Sequence, residues 1–286
     1  MRSDYSRTAE GMLILRAIEQ YLPENRRIID DPYAAQLLIN SQYRMIAASS
    51  VLSQMLSGFL KFWAPGGQEM LTIRPRLVDD YARELAAKGL DQIVLLGAGF
   101  DTMALRLKSE LRNCRVFEVD HPATQAEKVK GMNRIGKPGN LVFVAVDFEK
   151  DDFVEQLKGA GFDPALRTFI VWVGVSYYLR PQTVEQTLSR IAALGGPGTR
   201  LAWDYMLADV VDGSSKNLDA LDKRWRVAAL GEPWLFGLKP EDIPGYLDRF
   251  GFRLIRDYES LELQQLYCPD RRRPMSYVRI AFCERI

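Results

Sequence analysis

The sequence predicts an α/β protein built on an open, mostly parallel sheet with helices on both faces. Three observations carry this. From Gln92 onward short apolar runs alternate with stretches of helical spacing. The first run ends in Gly97-Ala98-Gly99, and the second, Val116 to Val119, ends at Asp120. Strand, glycine turn, helix, strand and acidic stop form a βαβ unit, and sheets of this kind bind ligands beyond the carboxyl ends of their strands.

The elements follow in order. Residues 5–21 and 33–56 read as helices, with Met12, Leu15, Ile18 and Leu22 at helical spacing. Asp30-Asp31-Pro32 reads as a helix entry, an acid cap followed by proline in the first turn. Pro65-Gly66-Gly67 marks a loop before a helix from about Pro75 to Lys88. Strands are expected at 92–97, 115–120, 141–147, 168–174 and 199–205, and helices near 101–111, 122–134, 151–160 and 181–194. Residues 207–237 read as a helical cap and 240–249 as one more helix. Two late strands, 252–259 and 276–283, should close the sheet as an antiparallel pair. The expected division is a helical block, 1–88, packed on an α/β domain, 89–286, that carries the cap.

The glycine turn and Asp120 point to a nucleoside-containing ligand. A backbone without Cβ lets the ligand lie against the main chain. An acid about 20 residues on accepts hydrogen bonds from ribose hydroxyls. A dinucleotide fingerprint wants a third glycine, and this chain has Thr102 there, with Asp101 before it. Asp101 repels a pyrophosphate but suits an ammonium or sulfonium group. The pattern therefore favours S-adenosyl-L-methionine over NAD.

Composition excludes more than it selects. The chain has 286 residues, 47% of them hydrophobic, which is ample for a large core. Its 38 basic and 37 acidic residues leave a net charge of +1, so bulk electrostatics predict neither a nucleic-acid nor a membrane partner. Arg271-Arg272-Arg273 is short and reads as a solvated loop. Cys114, Cys268 and Cys283 lack CxxC spacing, which fits a reducing cytoplasm without structural zinc. No secretory leader and no membrane span is expected. A homodimer is compatible with the sequence but not specified by it.

LLGAGFDTMALRL (95–107) followed by FEVDHPATQAEK (117–128) resembles the leucine carboxyl methyltransferase family, in its bacterial branch of S-adenosylmethionine-dependent methyltransferases. SRTAEGMLILRAIE, DDPYAAQLL and IRPRLVDDYAREL upstream, and AVDFEK and WVGVSYYLRP downstream, are similar to that family in the same order. The resemblance covers about residues 3–205. It implies a Rossmann-like class I methyltransferase sheet, with the N-terminal helices as a lid over cofactor and substrate. It also implies that Asp147 and Phe148 meet adenine and that an arginine near Arg74, with Arg76 as its rival, holds the methionine carboxylate.

The fourth strand departs from the family pattern. The family has a glutamate where this chain has Val173, in Trp172-Val173-Gly174-Val175-Ser176-Tyr177-Tyr178-Leu179. Either another group such as Asp101 compensates, or the reaction has changed or been lost. Tyr177, Tyr178, Trp203, Asp204 and Tyr205 lie at the ends of strands four and five, where an acceptor should sit, and Tyr178 and Tyr205 are the preferred catalytic candidates. His121, the single histidine, reads as a structural turn before Pro122, placed to cap the helix that follows or to touch adenosine. With no evident base, a small metabolite offering a carboxylate or an acidic hydroxyl is the expected acceptor, since a carboxylate is already ionised at neutral pH. The resemblance also admits a protein C-terminal carboxylate.

Overall fold

A computed structural model describes residues 5–148, 150–229 and 231–286. The first four residues of the expected lid and Leu230 of the expected cap lie outside these. Seven strands form one sheet: β1 (Gln92–Leu96), β2 (Arg115–Asp120), β3 (Leu141–Ala145), β4 (Thr168–Trp172), β5 (Arg200–Met206), β6 (Phe252–Tyr258) and β7 (Val278–Arg285). Their order is β3-β2-β1-β4-β5-β7-β6. The first five pair in parallel, and β7 runs antiparallel between β5 and β6. Strand order reverses direction between β1 and β4, so the chain turns away on both sides of Gly97 and leaves a crevice there. β1 and β4 are buried at every position, as covered central strands require.

The N-terminal half supplies α1 (Arg7–Glu19), α2 (Ala34–Leu37), α3 (Ser41–Ala47), α4 (Ser50–Trp63) and α5 (Gly67–Ala87). Then follow α6 (Met103–Arg106), α7 (Pro122–Ile135), α8 (Phe153–Gly159), α9 (Pro181–Leu194), α10 (Ala208–Asp212), α11 (Leu218–Ala229), α12 (Ile243–Asp248) and α13 (Ser260–Tyr267). Two cores result. One packs α1, α2, α5, α6 and α7 on the sheet face of Ile93, Leu95, Val171 and Ala202. The other packs α8, α9 and α12 on the face of Val94, Leu96, Trp172 and Trp203.

Several elements differ from expectation, each for a local reason. The helix expected over 101–111 is one turn, α6, because Leu107 and Leu111 are drawn fully into the core and Arg106 into a buried ion network. α5 starts at Gly67 and carries Pro75 in its interior. Pro75 cannot donate to the Leu71 carbonyl, and both residues line the cavity described below. Asp31 is not a helix cap: its carboxylate is buried, 3.0 Å from Arg16 Nε. The cap is two helices, α10 and α11, followed by an extended return whose Leu235 N–H donates to the Tyr177 carbonyl at 2.7 Å. α13, inside the late hairpin, had no sequence expectation.

Candidate functional site

A cavity of about 490 Å³ opens at the carboxyl ends of β1 and β4. Its floor is Gly97-Ala98-Gly99, where φ is +71° at Gly97 and +51° at Gly99. A Cβ on Gly97 would stand 2.7 Å from Val175 Cγ2. Both the left-handed backbone and the close approach of Val175, in the turn after β4, therefore favour glycine. The wall beside this floor is Asp120. Its carboxylate accepts from Gly99 N at 2.5 Å and from His121 N at 2.7 Å, and it faces the cavity. Burial raises its pKa, opposed by those two N–H groups.

Asp101 also lines the cavity and accepts from Met103 N at 2.6 Å. Burial works against its charge, but Arg106, Arg16 and Lys128 outweigh it and hold the carboxyl below its ordinary range. His121 lines the same wall. Its Nδ1 accepts from Ala123 N at 3.2 Å as the cap of α7, with Pro122 in the first turn. An accepting Nδ1 leaves the proton of a neutral ring on Nε2, so this side chain offers no free base.

The far end of the cavity is organised by a buried triad that the sequence shows only in part. Arg74 Nη1 donates to Asp204 Oδ2 at 2.8 Å and to the Tyr177 hydroxyl at 3.1 Å. Asp204 Oδ1 accepts from Gly174 N at 2.8 Å. Burial raises the Asp204 pKa and opposes the Arg74 charge; in Arg74 the pull of Tyr177 and Asp204 prevails and its pKa rises. Among the described residues Arg74 Nη2 meets a soft acceptor, Met12 Sδ at 3.2 Å. Arg74 lines the cavity, so that arm is placed to receive an anion. The rival Arg76 points elsewhere, to Asp80 at 3.0 Å.

Of the two preferred catalytic tyrosines, one is at the site. Tyr178 lines the cavity, and burial with nearby Glu232 pushes its pKa up to about 12. Tyr205 is a correction: it is fully buried on the opposite sheet face, where its hydroxyl donates to Asp257 at 2.9 Å. Strand side chains alternate, so Leu201, Trp203 and Tyr205 face the second core while Asp204 faces the cavity side. Asp147 does not line the cavity; its carboxylate lies 2.5 Å from Lys150 Nζ, while the adjacent Phe148 does line it and is 46% exposed. Val173 is a partly buried apolar wall between Val171 and Val175.

Thr8, Met12 and Glu232 complete the site. Thr8 Oγ1 donates to Glu232 at 2.6 Å, joining the N-terminal helices to the cap across the mouth. Arg16 Nη2 donates to the Phe100 carbonyl at 2.7 Å and ties α1 to the glycine turn. No motif marks Thr8 or Glu232, because the contact joins residues 224 positions apart. Among the described residues no group of histidine, cysteine and acidic side chains could hold a metal ion.

The leucine carboxyl methyltransferase profile matches residues 9–192, more than half of the chain. A Mycolicibacterium smegmatis protein with the provisional name S-adenosyl-L-methionine-dependent methyltransferase is 32% identical over 228 residues, 79% of this chain and 73% of its own. A Mycobacterium bovis protein with the same provisional name is 31% identical over 217 residues, 72% of this chain but 58% of its own. Among solved structures, a Thermobifida fusca protein described as a methyltransferase superposes with a TM-score of 0.60 at 19% identity, over 94% of this chain and 97% of that one. A Burkholderia thailandensis O-methyltransferase family protein gives 0.52 at 13%, over 96% and 72%. These two show the class I methyltransferase fold, and the profile with the sequence relatives shows more: this chain belongs to the leucine carboxyl methyltransferase family of S-adenosylmethionine-dependent methyltransferases.

Proposed function

We propose that the protein binds S-adenosyl-L-methionine in the cavity and methylates an oxygen of a small, partly apolar metabolite. The observation that carries this is Arg74: one arm is fixed by Asp204 and Tyr177 while the other faces the cavity beyond the Gly97-Gly99 turn. The distribution of charge fits the cofactor. Asp120 takes the ribose hydroxyls, the turn lies under the adenosyl group, and Phe148 packs on adenine. Arg74 takes the methionine carboxylate, and Asp101 supplies negative charge for the ammonium. Asp147 is turned toward Lys150, so the adenine contact falls to Phe148.

The bound cofactor supplies a methyl group already activated on a sulfonium. The protein's own task is to place an acceptor oxygen in line with it and to exclude water. Val173, Val175, Leu179 and Met12 give the acceptor end apolar walls. Tyr178, with its pKa near 12, keeps its proton at neutral pH and can donate to the acceptor rather than deprotonate it. Glu232 is the carboxylate at this end. It repels an acceptor carboxylate and can take the proton of a hydroxyl, which favours the acidic hydroxyl over the carboxylate.

The loss of the family glutamate at Val173 leaves the methionine end polar, because Arg74, Asp204 and the Gly174 N–H remain there. This supports retained methyl transfer over a lost or altered reaction. A walled cavity of about 490 Å³ suits a metabolite better than a protein C-terminus. Calorimetric titration with S-adenosylmethionine, S-adenosylhomocysteine and NAD tests the reading. Binding of the first two is expected, and NAD binding without them would overturn it. Glu232→Gln should then lower kcat for a hydroxyl acceptor by about 10²-fold with little change in S-adenosylhomocysteine affinity. An unchanged kcat would remove Glu232 from the chemistry.

A further inference from the structure

Helix α4 is apolar on the side that faces water. Its inner side sets buried Ser53 and the partly buried Leu56 and Leu60 against the N-terminal block. Its outer side exposes Val51 (64%), Met55 (65%), Phe59 (57%) and Phe62 (87%). Steps of four, four and three residues place these side chains on one stripe. A single exposed apolar residue is ordinary, but a continuous stripe of four large ones marks a contact surface.

The charge on the segment that carries the stripe has one sign. From residue 32 to residue 68 the chain contains no aspartate or glutamate, and its cations are Arg44 and Lys61. Lys61 is exposed beside Phe62. On the other flank Lys223 Nζ lies 3.8 Å from the Trp63 ring centroid, and Arg226, paired with Asp222 at 2.7 Å, donates to the Trp63 carbonyl. The net charge of +1 over the whole chain hides this local excess.

α3 and α4 together have the apolar composition of a membrane-crossing segment, yet they bend by 106°, and among the described residues no single helix is long and apolar enough to cross. Such an apolar excess, displayed on one helix face with aromatic side chains and a basic border, suits the plane of a lipid interface. We infer that α4 docks the protein on the surface of an anionic phospholipid membrane, with Phe59 and Phe62 among the headgroups and Lys61 at the phosphates. A second copy fits less well. A two-fold contact of α4 with itself brings Lys61 toward Lys61, and no acid between residues 32 and 68 answers the charge. The surface also adjoins the site, since α4 packs on α1 and α5, whose Met12, Leu71 and Arg74 line the cavity. The inference stands whichever acceptor the site takes.

The test is flotation of the purified protein with vesicles of phosphatidylcholine alone or mixed with phosphatidylglycerol, alongside light scattering for its mass in solution. Partition should be about tenfold stronger on the anionic vesicles and should fall with salt. The double substitution Phe59→Ser with Phe62→Ser should weaken it about tenfold or more, and Lys61→Glu should weaken it on anionic vesicles only. Unchanged S-adenosylhomocysteine binding and melting temperature show that these surface variants remain folded. Absence of partition, equal partition of the double variant, or no preference for the anionic vesicles overturns the proposal. So does a wild-type dimer that the double substitution splits without any vesicle binding, which would assign the face to a second copy.

Discussion

Arg74 shows how one residue is tuned by what surrounds it. The resemblance implied an arginine here and left Arg74 and Arg76 as rivals; Asp204, 130 residues away and fully buried, holds Arg74 beside the cavity, while Arg76 turns to Asp80. The same pleat explains the Tyr205 error. Strand-end chemistry was legible at 203–205, yet one step along a strand changes the sheet face, so Asp204 reaches the cavity side and Tyr205 does not. Arg74→Ala removes the arm proposed to hold the methionine carboxylate and leaves Asp204 buried without its cation. It should weaken S-adenosylhomocysteine by about 10²-fold and destabilise the protein by about 3–5 kcal/mol, read by calorimetry and denaturant melts. Wild-type affinity in a folded Arg74→Ala variant would remove Arg74 from the site. Val173→Glu tests the family glutamate in the other direction. Because Asp204 and Gly174 already organise that end, the dissociation constant should move by less than about tenfold. If only Val173→Glu binds the cofactor, the methyltransferase reading falls.

At the scale of elements, strands and the glycine turn were more legible than helices. A parallel strand buried on both faces is a short apolar run bounded by turn residues, and β1, β2 and β4 begin where such runs begin. Helix lengths depend on partners the pattern does not show. α6 ends after one turn because Arg106 is held by Asp79, 27 residues upstream, and α5 accommodates Pro75 because packing stabilises both sides of it. The turn after β1 gives the sharpest test at this scale. Gly97→Ala imposes a Cβ at φ +71° and drives it against Val175 Cγ2, so the Val175 side chain, in the turn after β4, must shift where it lines the cavity. A loss of about 1–3 kcal/mol in stability with at least tenfold weaker S-adenosylhomocysteine binding is expected. Unchanged binding would show that the floor tolerates the shift.

Across the whole molecule, nearly balanced charges conceal a large buried ionic layer on the sheet face that carries the site. Arg16 with Asp31, Arg106 with Asp79, Arg74 with Asp204 and Lys128 with Glu118 are all buried there. Composition reports the counts of these residues, not that they meet, which is why this layer was invisible in the sequence while the sheet was not. Breaking such pairs is costly, so the N-terminal helices and the α/β sheet should unfold together. The Glu118–Lys128 pair, 2.5 Å apart, gives the layer a pH signature. Burial pushes the Glu118 pKa up to about 7, with Lys128 opposing the rise. A carboxyl whose folded pKa lies above its unfolded value binds its proton more tightly when folded. Its contribution is therefore complete below the ordinary value of 4.5 and is lost as pH rises through about 7. Wild type should thus lose stability between pH 5 and pH 8 relative to Glu118→Gln, by on the order of 1–3 kcal/mol. Denaturant melts of both proteins across that range measure the difference in slope. Parallel stability curves would mean that Glu118 stays ionised throughout, held by Lys128 against its burial.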